Sequence, residues 1–116
     1  MVCTTNNYKG RYAFRATGFM TAAGASPEPF AVVGHFKADG KGNITGSQTR
    51  NFKGKIVHET FTETYTVNPD CTGSSKKATS AGIKTNWDFV ISDKGNTILA
   101  IETDANNVVT IRAERM

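Results

Sequence analysis

The sequence predicts an all-β fold: a single eight-stranded antiparallel up-and-down barrel, with a two-sheet β-sandwich as the alternative. Three observations predict it. Short β-prone runs bounded by Gly, Asp and Asn recur along the chain. No stretch has helical periodicity long enough to count as a helix. A chain of 116 residues suits one domain, and eight short strands close most economically into a barrel, which leaves no free edge.

The division expected is an N-terminal extension over residues 1–9 and a barrel over 10–116. The first run, Gly10 to Met20, alternates Tyr12, Phe14, Ala16 and Gly18 against Arg11, Ala13, Arg15 and Thr17, giving one apolar and one mixed face. Thr21 to Pro29 carries Gly24, Pro27 and Pro29 among small residues and reads as a loop. Phe30 then opens a second strand that runs to about Ala38. Asp39 to Asn43 supplies residues tolerant of positive φ between two β-prone runs, which is hairpin chemistry. A third strand spans Asn43 to Phe52. It leads through Lys53 and Gly54 into a fourth, Lys55 to Val67, whose Val57, Phe61, Tyr65 and Val67 share a face with Glu59 and Glu63.

Asn68 to Ser74 breaks that strand, because proline lacks an amide proton and glycine permits positive φ. A weak fifth strand is expected around Ser75 to Ser80, a sixth from Thr85 to Ser92, a seventh from Thr97 to Thr103 and an eighth from Val108 to Arg115. The last turns are Asp93 to Asn96 and Asp104 to Asn107. The turns at Asp39 and Asp93 are not calcium loops, since neither offers alternating oxygen ligands that end in a bidentate Glu.

The net charge is +4, with a pI near 9.2. Lys and Arg are scattered from Lys9 to Arg115, and the only adjacent basic pair is Lys76 and Lys77. That spread argues against a nucleic-acid face, which needs clustered cations. No apolar run approaches the ~20 residues of a membrane helix, so no membrane anchor is expected. Cys3 and Cys71 lack metal-site spacing, and His35 and His58 stand alone, so no metal or other cofactor is expected. A disulfide between the two cysteines is favoured over two free thiols. It would tie the N-terminus to the barrel, contribute ~3–4 kcal/mol in the chain-entropy model and imply an oxidising compartment. The opening Met-Val-Cys-Thr-Thr reads as a mature segment after signal removal, so a secreted or periplasmic location is expected. A monomer and a small homo-oligomer both remain open.

The runs Gly34-His35-Phe36-Lys37-Ala38-Asp39-Gly40-Lys41-Gly42-Asn43-Ile44-Thr45-Gly46 and Tyr65-Thr66-Val67-Asn68-Pro69-Asp70-Cys71-Thr72-Gly73 resemble the signatures of a large group of uncharacterised, exported bacterial proteins. Members of that group resemble one another over nearly the whole domain. The group's pattern is in turn similar to calycin-like and allene-oxide-cyclase-like eight-stranded barrels. What the resemblance implies is a central cavity, used in such proteins for hydrophobic ligands or for isomerisation and cyclisation. The chain departs from the pattern at Glu63, where a Gly commonly precedes the Tyr-Thr-Val run. A Glu there either places a carboxylate in the lumen or turns outward.

Glu59 and Glu63 lie four apart on one strand, about 13 Å at ~3.3 Å per residue. That is too far for a glycosidase pair, whose carboxyls stand about 5–9.5 Å apart. A single buried Glu beside Phe61, Tyr65 and Trp87 would have a raised pKa and could act as general acid or base; the bland alternative is a solvated strand residue. His35 and His58 sit on the more polar faces of their strands and are expected to point outward. No Gly-x-Ser-x-Gly elbow supports a catalytic triad. The aromatic set Tyr12, Phe14, Phe36, Phe61, Tyr65, Trp87 and Phe89 reads either as barrel core or as cavity lining, since an eight-stranded interior is just wide enough to be filled or to hold one small ligand. Gln48, Arg50 and Arg112 alternate with apolar or small neighbours and are the polar groups expected among them.

The leading expectation is therefore a secreted barrel that binds a small, largely apolar molecule in its lumen. Tyr12, Phe14, Phe36, Gln48, Arg50, Phe61, Trp87 and Phe89 would form the ligand site. The alternative is a cofactor-free isomerase, cyclase or hydrolase, with Glu63 or Glu59 as acid or base and Tyr65 or Arg112 polarising the substrate.

Overall fold

A computed structural model describes residues 2–21 and 26–116. Eight strands follow one another around a closed antiparallel barrel, each paired with its sequence neighbour, and β8 closes back on β1. They are β1 (Lys9–Met20), β2 (Glu28–Asp39), β3 (Asn43–Phe52), β4 (Lys55–Val67), β5 (Thr72–Thr79), β6 (Lys84–Ser92), β7 (Thr97–Glu102) and β8 (Val108–Arg115). A single 3-10 turn, Thr5–Asn7, precedes β1, and another, Asp93–Gly95, joins β6 to β7.

The period-two alternation seen in the sequence is what closes the barrel. In β1, Tyr12, Phe14 and Ala16 are buried while Arg11, Ala13, Arg15 and Thr17 are exposed. In β4, Phe61 and Tyr65 are buried and the intervening threonines are exposed. The Tyr12, Phe36, Phe61 and Trp87 side chains all belong to one enclosed core. The outer face carries Arg11, Arg15, Lys37, Lys76 and Asp88, all exposed. An outer-membrane barrel instead presents an apolar band on that side.

Two turns show why the hairpins form where they do. Lys53 and Gly54 have φ of 57° and 85°, and Phe52 pairs with Lys55 across them. Positive φ at both central positions is the two-residue turn whose twist matches the flanking strands. At the β2–β3 turn, Asp39 Oδ1 accepts from the backbone amides of Lys41 at 2.7 Å and Asn43 at 3.0 Å. Those bonds, led by the one from Asn43, lower the pKa of the Asp39 carboxyl.

The expected strands are all present, some with shifted boundaries. Strand β2 opens at Glu28, so Pro29 lies in it, paired with Phe19; an imino acid is tolerated at the first residues of a strand. Of the loop expected from Thr21 to Pro29, residues 22–25, including Gly24, lie outside the described residues. Strand β5 begins at Thr72 rather than Ser75, so the turn after β4 is shorter than expected. Gly73 is the reason. It is buried in the sheet with Val67 and Phe89 as register partners, and a Cβ there would collide with the Thr66 carbonyl and the Phe89 ring. Its glycine character serves close backbone approach within a strand, not a turn.

Cys3 and Cys71 form a disulfide. The Cys3 amide also donates to the Pro69 carbonyl at 2.9 Å. Together these hold the N-terminal segment against one end of the barrel and insert Tyr8 into it. Tyr8 meets Tyr12, Phe36, Tyr65 and Phe89 with ring centroids 4.7–6.2 Å apart. Its carbonyl accepts from the Tyr65 hydroxyl at 2.6 Å, while the Tyr12 hydroxyl donates to the Gly95 carbonyl at 2.6 Å. Buried phenols need such partners, and this end of the lumen is packed shut.

Candidate functional site

The opposite end of the barrel is not filled. A cavity of about 220 Å³ lies where Met20, Phe30, Phe52, Thr79, Thr85 and Asn107 approach the rim. Its walls are mostly apolar, with Ala16, Val32, Trp87 and Ile111 among them, and Gln48, Arg50, Lys77 and Glu102 add polar groups. A concave, mainly apolar site with a few convergent polar groups is the usual form of a small-molecule pocket.

A connected polar layer separates cavity from packed core. Gln48 and Glu59 are register partners on β3 and β4, and both are buried. Gln48 Nε2 donates to Glu59 Oε2 at 2.7 Å. Arg50, two residues along β3 on the same face, donates from Nε to Glu59 Oε2 at 2.8 Å and from Nη2 to Oε1 at 3.3 Å. This is a two-pronged ion pair with its carboxylate shielded from solvent. Burial pushes the Glu59 carboxyl up, but the bonds from Arg50 and Gln48 outweigh it, so its pKa is lowered. Glu59 therefore stays ionised near neutrality.

Lys77 completes the layer from β5. Its side chain is 7% exposed as a residue, and Nζ donates to Gln48 Oε1 at 2.5 Å. The ammonium lies 4.1 Å from the Phe61 ring centroid and 5.1 Å from that of Phe14. Ring faces and an amide oxygen both favour the charged form. Burial nonetheless lowers the Lys77 pKa, with Glu63, Glu59 and Glu102 opposing the shift.

Glu63 pairs with Lys77 across β4 and β5 and faces a second, much smaller void of about 20 Å³ bordered by Tyr8, Phe14, Phe36 and Phe89. Burial raises its pKa, partly offset by Lys77 and by a hydrogen bond from Ser75. Glu102, at the end of β7, is 6% exposed and accepts from Asn107 Nδ2 at 2.8 Å. Burial pushes its pKa up to about 7, with the Asn107 bond opposing and Asp104 adding to the rise. Asp104 accepts from the Asn86 amide and side chain, both at 2.8 Å. Burial raises its pKa as well, but these bonds and one from Glu102 outweigh that and hold it low.

The structure sorts the predicted residues by level. Gln48, Arg50 and Trp87 line the cavity. Phe14, Phe36 and Phe89 border the small void below, and Tyr12 and Phe61 are core. The open choice between core and lining resolves by position along the barrel axis. Glu59 and Glu63 both turn inward, Glu59 tied to Arg50 and Gln48, Glu63 below Lys77. Tyr65, read as a substrate-polarising group, has its hydroxyl committed to Tyr8 in the packed end. Arg112 is a correction: it lies on the outer face, exposed, with Nε 2.8 Å from Glu114 Oε1, because Val109 and Ala113 hold the inward positions of β8. His35 and His58 are exposed and meet Ser47 and Thr49 across β2–β3 and β3–β4.

Lys77 and Glu102 were not among the predicted site residues. Lys77 alternates with Gly73 and Ser75, a face without one large apolar side chain to mark it as inward. Among the described residues no group of three or more His, Cys, Asp or Glu is arranged to hold a metal ion, and no helix is long and apolar enough to cross a membrane. No protein-family model matches the chain, and no curated protein matches it.

Proposed function

We propose that the protein binds a small, largely apolar molecule in the open end of the barrel. One observation carries this reading: a cavity of about 220 Å³ with apolar walls, built over a floor of hydrogen-bonded, buried charge. A barrel with no binding role gains nothing from the floor, because a buried ionic layer stabilises a fold less well than packed hydrocarbon of equal volume. The volume lies below the ~300–1,000 Å³ usual for drug-sized ligands, so the occupant is small. The disulfide fits an oxidising compartment, and a secreted or periplasmic carrier is the form this reading takes.

The chain's single tryptophan, Trp87, stands in the cavity wall and provides the assay. Titration with 7-hydroxycoumarin, a dye small enough for the cavity, should give saturable energy transfer from Trp87 to the dye. Ala16→Phe fills the cavity and should abolish the transfer while leaving the far-ultraviolet spectrum unchanged. Dye binding that survives Ala16→Phe, or never saturates in the parent protein, would refute the reading.

A second reading, a cofactor-free enzyme, is favoured by Glu102. A carboxyl on the cavity wall with a pKa of about 7 has the poise of a general acid or base. In that reading Glu102 takes the place that the sequence suggested for Glu59 or Glu63.

A further inference from the structure

The cavity floor has one cation, Lys77, to which no carboxylate is bonded, and most of its hydrogen-bonding capacity is unused. An ammonium carries three donors, and Lys77 Nζ gives one of them to Gln48 Oε1. No carboxylate forms an ion pair with it among the described residues, where the pairs are Arg50–Glu59, Lys53–Glu28 and Arg112–Glu114. The rings of Phe61 and Phe14 lie against the ammonium without accepting conventional hydrogen bonds. Lys77 also borders both the cavity and the small void beneath it.

The charges around it have separate partners. Glu59 is neutralised by Arg50 in a two-pronged pair and also takes the Gln48 amide. Glu63 takes a hydrogen bond from Ser75. Glu102 is engaged by Asn107 and Asp104 at the rim. Arg50 also keeps unused N–H donors, but its charge is met by the Glu59 carboxylate it grips. Lys77 is thus the floor cation that has donors to spare and no carboxylate bonded to it, and the apolar wall of Ala16, Val32, Trp87 and Ile111 rises from that level.

Resting on the ligand-binding reading above, we propose that the occupant is a small organic acid, seated with its carboxylate on Lys77 and its apolar body along the wall toward the open end. A carboxylate accepts the two donors that Gln48 leaves and supplies the bonded counter-ion that Glu63, Glu59 and Glu102, which act on the ammonium without pairing with it, do not. The charge-assisted bond forms out of water, where a matched neutral head group loses the electrostatic part of it.

The test is isothermal titration with octanoate, octanamide and octylamine, which share a chain and differ in the charge of the head group, at pH 6.5. Octanoate should bind at least roughly 10-fold more tightly than octanamide, the ratio that a charge-assisted over a neutral hydrogen bond gives at ~1.4 kcal/mol per decade. Octylamine should bind most weakly. Lys77→Met should remove the preference of octanoate over octanamide, weakening octanoate by far more than octanamide, and Lys77→Arg should keep the preference. Equal binding of octanoate and octanamide by the parent protein overturns the organic-acid assignment while the cavity reading stands, and a preference for octylamine overturns it with the sign reversed. Binding of none of the three, together with no dye transfer, brings down the ligand-binding reading itself. If Lys77→Met fails to fold, the head-group comparison on the parent protein still decides.

Discussion

Replacing Glu102 by Gln should make the protein more stable at alkaline pH and leave it unchanged in acid. The carboxyl has a pKa of about 7 in the fold against 4.5 when exposed, so between those values the folded state holds a proton that the unfolded chain releases. Stability therefore falls as pH rises from about 4.5, and the loss is complete above about 7. At full weight the rise corresponds to about 3 kcal/mol. Solvent reaching the carboxyl from the cavity screens this to about 1–2 kcal/mol. Glutamine imitates the protonated acid: its oxygen can accept from Asn107, and its NH₂ can donate to Asp104 as the protonated carboxyl does. The assay is urea unfolding of both proteins at pH 4.5 and pH 8.5. Comparing the two cancels the titrating groups that do not interact with Glu102, while Lys77 and Asp104 enter only through their coupling to it. At pH 8.5 the Glu102→Gln midpoint should lie higher by about 0.5–2 M, given a urea slope of roughly 1–2 kcal/mol/M. Parallel pH profiles for the two proteins would refute the reasoning.

Glu59→Ala should be among the most damaging single changes in the lumen. It leaves Arg50 without its counter-ion and Gln48 without its acceptor, at a cost of about 2–4 kcal/mol, which the urea midpoint reads directly. The Cys3→Ser/Cys71→Ser double variant removes a covalent link across a sequence separation of 68. In the chain-entropy model this costs about 4 kcal/mol, and thermal unfolding monitored by circular dichroism should show a midpoint lower by roughly 15 °C.

Where the chain tells its own residues apart by period, the sequence was legible. Strands β3, β4 and β8 have the boundaries expected, since Gly42, Gly54, Pro69 and Asn107 stand in the turns beside them. In β4, Phe61 and Tyr65 define the inner face, so the inward turn of Glu59 and Glu63 was open to inference once the barrel closed. Strand β5 offered no such mark. Which face of Gly73, Ser75 and Lys77 turns inward is set by the Tyr65–Ser75 and Glu63–Lys77 register with β4, a tertiary fact. In β7 the outward Leu99 and Ile101 are as apolar as the inward Ile98 and Ala100, so alternation carried no sign and Glu102 went unnoticed. Arg112 is the contrary case: Val109, Ile111 and Ala113 already spelled out the inward parity of β8, and the small neighbours of Arg112 misdirected the reading.

The stoppered base of the barrel, where Tyr8 is wedged among Tyr12, Tyr65 and Phe89, makes the molecule a cup and not a pipe. A guest bound as proposed must leave by the way it came, so an arriving guest cannot push out its predecessor from behind. Exchange then proceeds one guest at a time, at the pace of departure.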